Sequence, residues 1–113
     1  MRQLNLTRLF WKIYVMSNKI IQQEFEFRRR IDGAVYYFHP CEPLDGQFTW
    51  KRQDADMWVS HVKDFGWVCI DSQNTICGIP WGISTYNMPE LPPVGEWVSK
   101  KGDKSYVYDL VYR

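Results

Sequence analysis

The chain has 113 residues, 45% of them hydrophobic and 24% charged, with a net charge of +1. Its length and composition fit one globular domain, residues 1–113, and exclude a disordered chain. The near-neutral balance lacks the basic excess that nucleic-acid binding draws on, no apolar run approaches the ~18 residues of a membrane-spanning helix, and three cysteines without motif spacing suit a reducing cytoplasm better than a disulfide scaffold.

The N-terminal stretch 1–15, MRQLNLTRLFWKIYV, is basic and apolar, but Arg8 and Lys12 interrupt it and no small-residue cleavage site follows. A secretory signal therefore fits poorly. It reads first as an amphipathic element packed on the domain. The other readings are an extension upstream of Met16 and a segment lying on a membrane surface.

From Gln23 to Pro40 the sequence alternates, turns at Asp32-Gly33 and alternates again. Asp-Gly between strand formers predicts a hairpin. A two-residue turn would set Arg29 opposite Tyr36 and Phe27 opposite Phe38. Period two then places Phe25, Phe27, Arg29, Ile31, Ala34, Tyr36 and Phe38 on one face. That face is the core face, and Arg29 is its exception. Pro40 and Pro43 are expected to end the hairpin. Residues 47–52, QFTWKR, alternate once more, with Phe48 and Trp50 on one side.

The best helix signal follows at 54–65. Asp54 or Asp56 would cap it, Trp58, Val62 and Phe65 fall at helical spacing, and Gly66 would end it. Residues 67–71, WVCID, read as a buried strand, and ICGI returns antiparallel to it after a turn. Near the C-terminus Gly102-Asp103 predicts a second hairpin, pairing Trp97 with Tyr108 and Ser99 with Tyr106. Tyr106, Tyr108, Leu110 and Tyr112 share one face of its second strand. The expected fold is α+β: a curved, mainly antiparallel sheet of five to six strands, a roll or half-barrel, packed by one or two short helices.

Between these strands lies a loop, 78–95, rich in proline, glycine and aromatic residues. Four of the six prolines of the chain stand in it, and they block regular pairing from Pro80 to Pro93. Trp81, Ile83, Tyr86, Met88 and Leu91 supply apolar anchors, so the loop reads as ordered. It serves either as a stiff cover over one end of the sheet or as a wall of a groove presenting Trp81 and Tyr86 to a ligand.

The most informative side chains are aromatic. Six Trp, seven Tyr and six Phe make 17% of the chain, more than a small core readily encloses, so some rings should line a surface, groove or interface. The candidate binding residues are Arg29, Tyr36, Trp81, Tyr86, Trp97, Tyr106 and Tyr108. Arg29 on an apolar face needs a partner, which Tyr36 offers as a cation–π face; its guanidinium either snorkels to water or grips an anion in a pocket. Glu26 and His39 could pair across the outer face, and Arg28, Arg29 and Arg30 divide between two faces.

His39, Cys41, His61, Cys69 and Cys77 lack the doubled short spacings of a structural zinc site, so no metal or other cofactor is expected. Glycine-rich phosphate loops, G-x-S-x-G and H-E-x-x-H are absent. A Cys–His pair or two facing carboxylates would have to be assembled by the fold. The leading expectation is a non-enzymatic binding protein that uses an aromatic surface for self-association or a protein partner. The alternatives are a small-ligand binder with an anion-gripping Arg29, and then a small enzyme.

Overall fold

The computed structural model describes residues 23–44 and 47–113. The segment expected at 1–15, and its packing on the sheet, lie outside the described residues. Eight strands follow one another: β1 (Phe25–Arg29), β2 (Val35–Leu44), β3 (Gln47–Arg52), β4 (Met57–Val62), β5 (Gly66–Asp71), β6 (Ile76–Pro80), β7 (Gly95–Lys101) and β8 (Lys104–Tyr112). Each pairs antiparallel with the next, and β8 pairs with β1 to close a barrel.

The α+β half-barrel expected from the sequence is therefore overturned. Among the described residues there is no α-helix, only a single 3-10 turn at Thr85–Asn87. The segment predicted as a helix, 54–65, is a tight turn followed by β4. Alternation decides it: Val59 points inward opposite Trp50 on one side and Cys69 on the other, and is fully buried. A strand there satisfies two ladders at once, whereas a short helix satisfies only itself and depends on packing. Asp54, the proposed cap, instead pairs with Arg52, and Phe65 is largely exposed beyond the strand end.

Both predicted hairpins form. The β7–β8 register is as expected, with Trp97 opposite Tyr108 and Ser99 opposite Tyr106. The β1–β2 register differs by two residues: Phe27 stands opposite Tyr36 and Phe25 opposite Phe38. The loop is longer than a two-residue turn, closed by Arg29 N–H to the Ala34 carbonyl and Gly33 N–H to the Arg29 carbonyl. A shift of two leaves the strand side chains on their predicted faces, because the period of a strand is two, but Ile31, expected on the core face, falls in the longer turn and is 77% exposed. Strand β2 also runs past Pro40 to Leu44. β1 starts at Phe25, opposite Phe38, so among the described residues β2 has no strand partner on the β1 side beyond that point, and a missing N–H there breaks none of the described ladder bonds.

Inward-facing rings fill one half of the barrel. Phe25 stacks on Phe38 at 5.1 Å and meets Trp50 at 5.8 Å, and Trp50 meets Trp67 edge to face at 5.8 Å. Phe27 bridges Phe38 and Trp97 at 5.2 and 5.1 Å. These separations suit edge-to-face and offset pairs, which add to the burial of the rings themselves. On the outer wall the buried Ser60 and Thr49 hydroxyls hydrogen-bond across β3 and β4.

Strand and helix at 54–65 make different demands on two side chains. Val59→Ala should destabilise the protein by about 2 kcal/mol, through lost burial and a cavity beside Trp50. Phe65→Ala should cost less than about 0.5 kcal/mol, as expected of an exposed side chain. Urea unfolding of the two variants checks the order; a costlier Phe65 would restore the helix.

Candidate functional site

The two ends of the barrel differ. One is closed by the proline-rich loop between β6 and β7. Three inward-facing side chains donate hydrogen bonds to its carbonyls: Trp67 Nε1 to Pro89 at 2.9 Å, Trp97 Nε1 to Pro93 at 2.9 Å, and Tyr112 OH to Pro92 at 2.6 Å. A fourth, Trp50 Nε1, caps the strand entry at the Gln23 carbonyl at 2.9 Å. Each ring thus buries its body in the core and spends its polar tip on loop backbone that has no strand partner. Pro92 and Pro93 are buried, while Met88 and Leu91 pack on the core. Met88 lies so close to Gly66 (φ +77°) that a Cβ there would stand 2.5 Å from its Cγ. The cover reading of this loop is the one its contacts support. Trp81 and Tyr86 point away from the barrel, 60% and 95% exposed.

The opposite end holds a cavity of about 590 Å³. Its floor is the aromatic core at Phe27, Phe38 and Trp97, and its walls carry Tyr36, Tyr106 and Tyr108. Of the seven residues singled out from the sequence, the cavity gathers Arg29, Tyr36, Trp97, Tyr106 and Tyr108; Trp81 and Tyr86 lie outside it. The fold adds Arg52, Lys101, Asp71, Cys69 and Cys77 to the lining. Arg52 was within reach of the reasoning that marked Arg29: it follows Phe48 and Trp50 at period two, another cation on an apolar face. The cysteines carried no such signal.

The guanidinium groups of Arg29 and Arg52 are held side by side around Tyr36. The Arg52 guanidinium carbon lies 4.0 Å from the Tyr36 ring centre, that of Arg29 lies 5.5 Å from it, and Arg29 also sits 5.2 Å from Tyr106. Rim carboxylates orient both. Arg29 donates from Nε and Nη2 to Asp32 at 3.0 and 2.8 Å, and Arg52 donates from Nε and Nη2 to Asp54 at 2.5 and 3.3 Å. A bidentate pair takes one edge of the fork and leaves the Nη1 side turned to the cavity. On Arg29 that side meets Tyr108 OH at 3.5 Å. Asp71 is engaged with backbone, accepting from the Gln73 and Thr75 N–H groups at 2.9 Å each. The lining therefore presents Arg29, Arg52 and Lys101 with Asp71, while Asp32 and Asp54 pair with the two arginines.

Outside the cavity the expected pairing of Glu26 with His39 is replaced. In the observed register Glu26 is opposite Tyr37, and its carboxylate meets Arg28, with Arg113 at 4.0 Å. Arg30 turns outward to Glu96 and Asp109, so the three consecutive arginines do divide between faces. Among the described residues no three His, Cys, Asp or Glu side chains are grouped as metal ligands.

Two pH dependences follow from these contacts. The Arg29 guanidinium, with help from the Ala34 N–H, lowers the Asp32 carboxyl to about 2. A lowered folded pKa favours the folded state above the unfolded value of about 3.9 and is lost as pH falls toward 2. The Asp32 carboxyl carbon should titrate near 2 by NMR and return toward its ordinary value in Arg29→Met. Burial pushes the Tyr112 phenol well above the usual tyrosine range. Here the sign reverses: the contribution is complete below about 10, where the unfolded phenol ionises, and declines as pH rises further. Tyr112→Phe should be less stable at neutral pH by about 1 kcal/mol, for loss of the Pro92 hydrogen bond. It should also lose less stability than wild type above pH ~10, as read by urea midpoints.

Compared with protein-family models, curated proteins and solved structures, the chain matches none, and its function is read from the geometry of the barrel alone.

Proposed function

We propose that the protein is a small-ligand-binding β-barrel whose open end takes an anionic molecule bearing a flat ring. The observation that carries this reading is the cavity of about 590 Å³ lined by Arg29, Arg52 and Lys101 together with Tyr36, Tyr106 and Tyr108. Its size falls within the roughly 300–1,000 Å³ common to small-molecule sites. An eight-stranded barrel encloses space for side chains or for one small ligand, and this one is filled by rings at one end only. The plugged end makes a cup with a single mouth. Inside it, guanidinium edges suit a carboxylate, sulfonate or phosphate, and tyrosine faces suit a planar group. Because rim aspartates already orient the arginines, little side-chain freedom remains to be lost on binding. Binding in this form requires no covalent step, and His39 and His61 are not among the residues lining the cup.

A titration with anilinonaphthalene sulfonate, and with a matched uncharged naphthyl compound, tests the reading. Arg29→Gln and Arg52→Gln should each weaken the sulfonate about tenfold, the loss of a charge-assisted hydrogen bond worth about 1.4 kcal/mol. The uncharged compound should be nearly unaffected. Equal binding of both compounds, or a sulfonate affinity indifferent to both substitutions, would refute an anion site.

A second reading, docking of a protein partner or a second copy, draws on the outer wall. Ile79 and Trp81 lie on the outer side of β6 and its continuation, beside Val94 on the approach to β7, and all three are exposed, as is Tyr86. Light scattering from tens of micromolar to nanomolar, on wild type and Trp81→Ser, measures it. A dimer that Trp81→Ser dissociates supports this reading; a monomer throughout removes self-association.

A further inference from the structure

A bulge in β6 brings two thiols together on the cavity wall. Cys69 pairs with Gly78 and Ile70 with Ile76, so Cys77 is the extra residue in the ladder. A bulge lets two neighbouring residues stand opposite one on the partner strand. Gly78 has no side chain, and a Cβ there would stand 3.2 Å from Cβ of Cys69. The space above Cys69 is thereby left to Cys77, whose Sγ–H donates to the Cys69 carbonyl at 3.3 Å. The bulge sets Cys77 next to Gly78, the residue opposite Cys69, and brings its sulfur onto the Cys69 backbone. Both cysteines line the cavity, Cys69 buried and Cys77 half-buried, and neither is in a disulfide.

We propose that Cys69 and Cys77 form a thiol–disulfide exchange site, with Cys77 attacking, Cys69 resolving, and an anionic low-molecular-weight disulfide as the reacting partner. The assignment of roles follows from access: Cys77 faces the cavity, and Cys69 lies behind it. Ionisation of the pair follows the same order. The hydrogen bond to the neighbouring sulfur, and then burial, raise the Cys69 pKa and keep it a thiol, while the same S–H lowers the pKa of Cys77. Arg29, Arg52 and Lys101 on the same walls attract a carboxylate-bearing partner to that sulfur.

The exchange balances without another reactant. The Cys77 thiolate attacks one sulfur of the small disulfide; that S–S bond breaks, and one small thiolate leaves and is protonated. A mixed disulfide stands on Cys77. Cys69 then gives up its proton and attacks Cys77 Sγ, and the second small thiol departs. The dithiol is oxidised by two electrons to a Cys69–Cys77 disulfide, and the small disulfide is reduced to two thiols. The preference for an anionic partner rests on the cationic cup proposed above, whereas the exchange itself rests on the juxtaposed thiols, so a cup that bound no aromatic sulfonate would remove the charge preference and leave the 69–77 crosslink to be formed.

The folded full-length chain, reduced and then exposed to oxidised glutathione, supplies the test by intact mass and peptide mapping. Wild type and Cys41→Ser should each lose a pair of hydrogens and yield a peptide crosslinked between residues 69 and 77. Cys69→Ser should stop at one glutathionyl group on Cys77, and Cys69→Ala serves the same purpose should the serine not fold. Cys77→Ser should leave Cys69 unmodified. Arg29→Gln with Arg52→Gln should slow the reaction about tenfold with glutathione disulfide but little with uncharged hydroxyethyl disulfide. Modification of Cys41 ahead of Cys77, or a folded wild type in which no 69–77 crosslink forms, would overturn the proposal.

Discussion

Everything in this fold depends on the pairing of β1 with β8. Five residues of β1, Phe25 to Arg29, find partners in β8 from Tyr112 back to Tyr108, and this last ladder turns a sheet into a closed barrel. Closure removes both free edges, which in an open sheet expose unpaired N–H and C=O groups. It also brings the rings of the first strand against those of the last. Phe25 meets Tyr112 at 5.6 Å and Phe27 meets Tyr108 at 5.8 Å. Without that seam the aromatic residues of β1 and β8 would face water, and the surplus of rings in the composition would have no interior to fill.

An eight-stranded barrel has an interior about as wide as its side chains, so the distribution of large and small residues along the strands decides where it is solid. At one end tryptophan and phenylalanine fill the bore, and two indole N–H groups and the Tyr112 hydroxyl hold the proline-rich loop as a stopper. A loop with so few backbone partners of its own gains order from donors outside it, and three side chains of β5, β7 and β8 supply them. At the other end Gly78, Ser99 and Cys77 are small, the tyrosines lean on the walls, and a cavity remains.

Electrostatics at that mouth follow from the same construction. Arg29 and Arg52 occupy inward positions of strands otherwise apolar on that face, which brings two cations around one tyrosine. Their charge is retained because each has a carboxylate at the rim and one edge near water. The chain as a whole is almost neutral, yet cations outnumber carboxylates among the residues lining the cup, Asp71 being engaged by backbone N–H groups and Asp32 and Asp54 pairing with the arginines. Net charge spoke to the molecule's bulk affinity for polyanions. It did not report how charge divides between the wall and the lumen of a barrel.

The sequence by itself determined the strand faces of both hairpins, the turn residues Gly33 and Gly102, a proline-rich loop with apolar anchors, and Arg29 as a cation on a core face. Period-two alternation and turn chemistry are local, and they survive even a two-residue slip in register. Only the tertiary structure decided the rest. Residues 57–62 carry spacing compatible with either helix or strand, and the open ladders of β3 and β5 settle the matter in favour of strand. The number of strands depends on β8 meeting β1, some eighty residues away, a contact with no local signature. Trp81 and Tyr86 shared composition with the rings that line the cup, but the loop that carries them closes the opposite end. Cys69 and Cys77 meet because a bulge and a glycine coincide on β6. Local pattern sets which way a side chain points; only closure sets what it points at.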